Sequence, residues 1–84
     1  MDTLTTRSEL DYPHLATVFE DVFQHVAPLT RRTSSQDVVR WDSLQHIALV
    51  SAIEREFGIS LSMDEMMEMR TVGDIEAVLR RHGV

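Results

Sequence analysis

Apolar side chains recur along this chain at steps of three and four, the spacing that stacks them on one face of a helix, and they do so in three separate stretches. The first runs through Leu15, Val18, Phe19, Val22, Phe23 and Val26, with His14, Glu20, Asp21, Gln24 and His25 at polar positions. Asp11 and Pro13 mark its start, because a proline's missing N–H costs nothing in a first turn, and Pro28 ends it. The second stretch predicts a helix from Ser43 to Phe57, with Ile47, Val50, Ile53 and Phe57 as its buried stripe. Leu44, Ala48, Ser51 and Arg55 fall on the opposite side and should face solvent. The third stretch, Val72, Ile75, Val78 and Leu79, predicts a final helix. Arg80, Arg81 and His82 suit the negative end of its dipole, and Gly83 closes it.

Polar residues punctuate this pattern. Asp42 is placed to cap the second helix by accepting a first-turn N–H, with Gln45 three residues on to reach back, and Gly58 stops the helix. Ser62 with Glu65 forms a capping-box signature that predicts a short helix over Asp64 to Met69, and Thr71 with Asp74 starts the last helix. Met66, Met67 and Met69 fill gaps in a core or cover a bound chain, since methionine adapts to either use. Between Ala27 and Trp41 lies a long polar connection. Val38, Val39 and Trp41 are expected to pin its second half to the core, with a single turn begun by Ser34 and Asp37. No stretch alternates with period two. The expected architecture is all-α: a four-helix bundle of three main helices plus one short helix, with a long first loop. Residues 1–10 read as a flexible polar lead-in and 11–84 as a single domain.

Composition narrows the function. A chain of 84 residues supports one small core but not a deep substrate cavity, so a self-contained enzyme is not expected. The formal net charge of -6 argues against nucleic acid or an anionic membrane as partner, because both require clustered cations. There is no cysteine, hence no disulfide framework and no thiolate metal site. His14, His25, His46 and His82 form no metal-binding spacing, and the acidic residues lack that of a calcium loop. No apolar run is long enough to cross a bilayer. A cytoplasmic monomer is expected.

Ser43 stands at the first position of the second helix, where unpaired N–H groups and about half a positive charge favour a phosphate attached nearby. Nothing in the sequence would make it a nucleophile in its own right, since no Gly-X-Ser-X-Gly element surrounds it. His46 falls near the buried arc of the helix and is expected to pack rather than catalyse. Asp42-Ser43-Leu44 opens the helix, Glu54-Arg55-Glu56-Phe57-Gly58-Ile59 leaves it, and Thr71-Val72-Gly73-Asp74 begins the last one. Together these stretches resemble the acyl carrier protein family, most strongly from Trp41 to about Val78.

The resemblance implies that Ser43 carries a covalent 4'-phosphopantetheine arm derived from coenzyme A, with Asp42 and Leu44 as its motif neighbours. It also implies a phosphopantetheinyl transferase as partner, together with acyl-loading and acyl-processing enzymes such as synthases or ligases. The protein would be a non-catalytic carrier of acyl thioesters in fatty acid, polyketide or related secondary biosynthesis. A docking face is implied over the second and third helices, through Gln45, Ala48, Ser51, Glu54, Arg55, Asp64, Glu65 and Glu68. The inner faces from Leu15 to Val26, Ile47 to Phe57 and Val72 to Leu79 would line any cavity that shelters the cargo. Two features depart from the family: Arg40 stands where many members have a glycine, and Gln45 and Ala48 stand where acidic residues are common. Alternatives are a peptidyl or aminoacyl carrier, whose Gly-Gly-His or Gly-Gly-Asp lead is not matched by Val39-Arg40-Trp41, and an unmodified helical adaptor binding through its acidic face.

Overall fold

Three side-chain caps of the kind anticipated set where helices begin. In the computed structural model, which describes residues 10–84, Asp42 accepts the Gln45 N–H at 2.8 Å and opens α2 (Ser43–Phe57). Ser62 and Glu65 exchange bonds as a complete capping box at the start of α3 (Met63–Glu68), and Thr71 and Asp74 do the same for α4 (Val72–Arg81). The first helix, α1 (His14–Phe23), begins after Pro13 without a side-chain cap. Gln45 does not reach back to Asp42; the Asp42 N–H is taken by the Arg40 carbonyl at 3.1 Å. Among the described residues there is no strand, only an isolated bridge between Ser34 and Thr71. The fold is all-α, four helices joined by a long first loop. The lead-in expected over residues 1–10 lies outside the described residues apart from Leu10, which packs into the core.

Helix α1 is shorter than its apolar period suggests. It stops at Gln24, which adopts left-handed φ 53°, while the His25 N–H reaches back to the Phe19 carbonyl. Val26 therefore leaves the helix and is 80% exposed, a correction to the predicted stripe. Gly58 plays the same stopping role for α2 at φ 66°, where glycine is unstrained.

The core joins Leu15, Val18, Phe19 and Phe23 of α1 to Leu49, Val50 and Ile53 of α2 and to Val72, Ile75, Val78 and Leu79 of α4. These side chains pack against one another and form the interior of the bundle. Trp41 and Val38 anchor the end of the long loop, with Trp41 edge-on to Phe19 and stacked on Phe23. Val39 does not help; it is 98% exposed, because the turn that buries Val38 points its neighbour outward. The expected turn at Ser34 is present, its N–H bonded to Asp37 at 3.0 Å.

One buried charge ties the start of α1 to α4. Glu76 is fully buried and accepts the N–H groups of Asp11 and Tyr12 at 2.7 and 3.0 Å, while its second oxygen lies 3.4 Å from the Arg31 guanidinium. The loop approaches α4 closely enough that the Gly73 N–H bonds the Arg31 carbonyl, and a Cβ at Gly73 would sit 3.0 Å from that oxygen. A side chain there would push the loop away.

Candidate functional site

Ser43 lies where the loop turns into α2, and the cap that orders this corner is Asp42 rather than the serine itself. With Asp42 engaging the Gln45 N–H and the Asp42 carbonyl accepting from His46 at 2.8 Å, the first turn is fixed. Ser43 is exposed, and its hydroxyl makes no hydrogen bond among the described residues. It projects from the positive end of a fifteen-residue helix, a place that stabilises an attached phosphate.

His46, one turn further on, is committed elsewhere. Its Nδ1 accepts the Trp41 indole N–H at 2.9 Å, which leaves Nε2 to donate to the Met66 carbonyl at 2.9 Å. The two rings stack with centroids 6.1 Å apart. Both nitrogens are in use, so the imidazole ties the loop, α2 and α3 together rather than serving Ser43 as a base.

Beside Ser43 an open cleft of about 720 Å³ runs between the long loop, the first turns of α2 and the α3–α4 junction. Ser34, Ser35, Gln36 and Thr71 give it a polar wall, and Ile47, Met66 and Met67 an apolar one. Ile47 was expected in the buried stripe of α2. It is instead 55% exposed, because the helix turns Leu49, Val50 and Ile53 inward and leaves Ile47 at the edge of that arc, on the cleft. Arg70 also lines this cleft. The loop residues, Ile47, Met67, Arg70 and Thr71 form a common surface that the sequence reading did not anticipate. The helical period alone carries no signal for it, since the Ser34–Thr71 bridge is what joins segments far apart in the chain.

The candidate docking residues divide. Leu44, Ala48, Ser51 and Arg55 form an exposed stripe on α2, with Leu44 76% exposed, Gln45 half-buried beside them, and Asp64 exposed on α3. The glutamates have internal partners. Glu54 accepts the Leu61 N–H at 2.7 Å, Glu68 pairs with Arg81 at 2.7 Å, and Glu65 bonds Ser62 and lies 2.9 Å from His82 Nε2. The Ser62 N–H holds the Glu65 carboxyl below its ordinary value of 4.5; partial desolvation opposes this, and His82 adds to the lowering. No group of three or more potential metal ligands occurs among the described residues.

Comparison with known proteins adds three findings. Residues 37–79, a span that includes Ser43, match a family model described as a phosphopantetheine attachment site. The fold superimposes on the solution structure of a holo acyl carrier protein from Geobacter metallireducens with TM-score 0.74 and 31% identity, covering 82% of this chain and 80% of that one. A protein from Mycobacterium tuberculosis assigned as an acyl carrier protein superimposes with TM-score 0.74 over 83% of this chain and 95% of its own, at 21% identity, a likeness of fold. No curated protein sequence matches.

Proposed function

Because this chain belongs to the acyl carrier protein family, a family of non-catalytic carriers bearing covalent 4'-phosphopantetheine, we propose that Ser43 is the residue that receives the arm. The observation that carries this reading is the Ser43 hydroxyl itself, exposed and without a partner among the described residues at the mouth of α2. When bound, the arm supplies a thiol, which this cysteine-free chain lacks, on which acyl groups travel as thioesters.

The residues present suit such a group. The cleft beside Ser43 sets hydroxyls and an amide from Ser34, Ser35, Gln36 and Thr71 against the apolar side chains of Ile47 and Met67. That mixture matches an arm of amides and methyl groups. Asp42 fixes the first turn and Leu44 stands clear of the surface next to the hydroxyl, where a phosphopantetheinyl transferase would seat. Biosynthetic enzymes that load and process acyl groups are the remaining partners. Their docking site, on this reading, is the exposed stripe Leu44, Ala48, Ser51 and Arg55 with Asp64, while Glu54, Glu65 and Glu68 contribute less because internal partners occupy them. The carrier would serve fatty acid, polyketide or related secondary biosynthesis, and the sparse charge of that stripe supports specialised partners of a polyketide or other secondary pathway. Among the described residues no helix is long and apolar enough to cross a membrane.

Coexpression with a broad-specificity phosphopantetheinyl transferase, followed by intact-mass measurement, tests the assignment. The expected result is a gain of one phosphopantetheine group that vanishes in Ser43→Ala. Modification that persists in Ser43→Ala would move the site elsewhere. An unchanged wild-type mass, with partner binding retained, would favour the unmodified adaptor.

A further inference from the structure

Three of the described arginines are locked in ion pairs: Arg31 with Asp11 and Glu76, Arg80 with Asp11, and Arg81 with Glu65 and Glu68. Arg40 is bonded to Gln24. Arg32, Arg55 and Arg70 have guanidinium groups with no ion pair or hydrogen bond among the described residues, although the chain as a whole is acidic. Of these three only Arg70 stands on the wall of the cleft that Ser43 opens into.

The carboxylates nearest to it in the chain are taken. Arg70 shares a smaller adjoining hollow with Glu68 and Asp74, yet Glu68 is held by Arg81 at 2.7 Å and Asp74 accepts the Thr71 N–H at 3.2 Å. Asp42, the one carboxylate on the cleft itself, accepts from Gln45. The backbone under Arg70 is fixed as well. Its N–H bonds the Glu68 carbonyl at 2.9 Å, the next residue forms the bridge to Ser34, and the Val72 N–H bonds the Thr33 carbonyl at 3.0 Å. A cation thus stands on a cleft whose lining offers hydroxyl donors, with no carboxylate of the described residues in an ion pair with it. Guanidinium with hydroxyl donors is the set that recognises a phosphate or carboxylate oxygen.

We propose that Arg70 makes this cleft an anion-reading site, pairing with an oxyanion of the bound prosthetic group: its phosphodiester, or a carboxylate carried on the acyl cargo. The inference rests on the carrier reading of Ser43. In the first case Arg70 holds the arm against the polar wall in every loaded state. In the second it selects acyl groups bearing a distal carboxylate over plain alkanoyl groups.

The test uses wild-type protein, Arg70→Gln and Arg32→Gln, the last removing an equal charge from outside the cleft. Each is prepared unmodified, with the bare arm, and with butyryl or succinyl arms transferred from the corresponding coenzyme A thioesters. Intact mass confirms loading, and thermal midpoint and the Arg70 Nε NMR signal are then read. A wild-type midpoint gain of about 2–4 °C on attaching the bare arm, retained in Arg32→Gln and lost in Arg70→Gln, assigns the phosphodiester. A gain and an Nε shift confined to the succinyl form assign the cargo carboxylate. Equal responses in wild type and Arg70→Gln overturn the proposal while leaving Ser43 loaded. Absence of any mass gain overturns the carrier reading on which it stands.

Discussion

Helices α2 and α3 flank the same cleft but are held in place by different physics. On α2, Leu49, Val50 and Ile53 are buried against α1 and α4, so the wall carrying Ser43 is part of the core. No residue within α3 is buried. It is fastened by its capping box, by the bond from His46 to the Met66 carbonyl, by Glu65 and Glu68 reaching His82 and Arg81, and by Met69 just past its end. Apolar burial is collective and resists local opening, whereas a few polar clasps can let go one at a time. The cleft therefore has one fixed wall and one adjustable wall. A carrier that must receive and surrender varied cargo is served by that division.

The comparison breaks first at the fixed wall. Leu49→Ala leaves a cavity at a fully buried position and should cost about 3 kcal/mol, lowering the urea midpoint of the whole domain. Met67→Ala, on the adjustable wall with its side chain 67% exposed, should stay within about 0.5 kcal/mol. Equal losses from the two would dissolve the distinction.

Glu76→Ala comes next. It strips acceptors from two N–H groups and leaves Arg31 without its buried partner, at an expected cost of about 2 kcal/mol, read by the same denaturation. The loss should be global, since Glu76 belongs to α4 and holds the start of α1.

His46→Phe keeps an aromatic ring beside Trp41 but orphans the indole N–H and the Met66 carbonyl, a loss of about 1 kcal/mol. Here the response should be local. Amide exchange in α3 should rise while the core of α2 stays protected, and the fluorescence of Trp41, the single tryptophan, should shift. Uniform loss of protection would mean that α3 opens only with the whole fold.

The unequal hold of the two walls also explains which parts of the molecule were legible in the sequence. Caps are local, and Asp42, Ser62 with Glu65, Thr71 with Asp74, and Gly58 all act where the residues announced them. The end of α1 was not readable, because Gln24 takes a left-handed conformation that sequence reading assigns to glycine or asparagine. Ile47 was misplaced for a related reason. An apolar period admits neighbouring arcs, and the choice between them was made by Leu49 and His46 turning inward to partners on other elements. Glu76 and Arg70 carried no signal, since one owes its place to backbone groups 64 and 65 residues away and the other to a bridge from the loop. For the candidate site, the serine and its cap were visible and the cleft was not.

The smallest expected effect is a pH response confined to α3. Glu65 has a carboxyl lowered below 4.5, first by the Ser62 N–H and then, against some desolvation, by His82. A carboxyl lowered in the folded state stabilises that state above its unfolded value, and the contribution fades as pH falls through the folded value. Acid should therefore loosen α3 below about pH 4.5, before any loss in α1, α2 or α4. Protonating Glu65 deprives the capping box of its best acceptor and removes the negative charge that faces the His82 ring. NMR protection factors for 63–69 measured between pH 6 and pH 3 should fall in the wild type and stay flat in Glu65→Gln. If Glu65→Gln falls in parallel with the wild type, the acid response belongs to the core carboxylates and the adjustable wall is not set by Glu65.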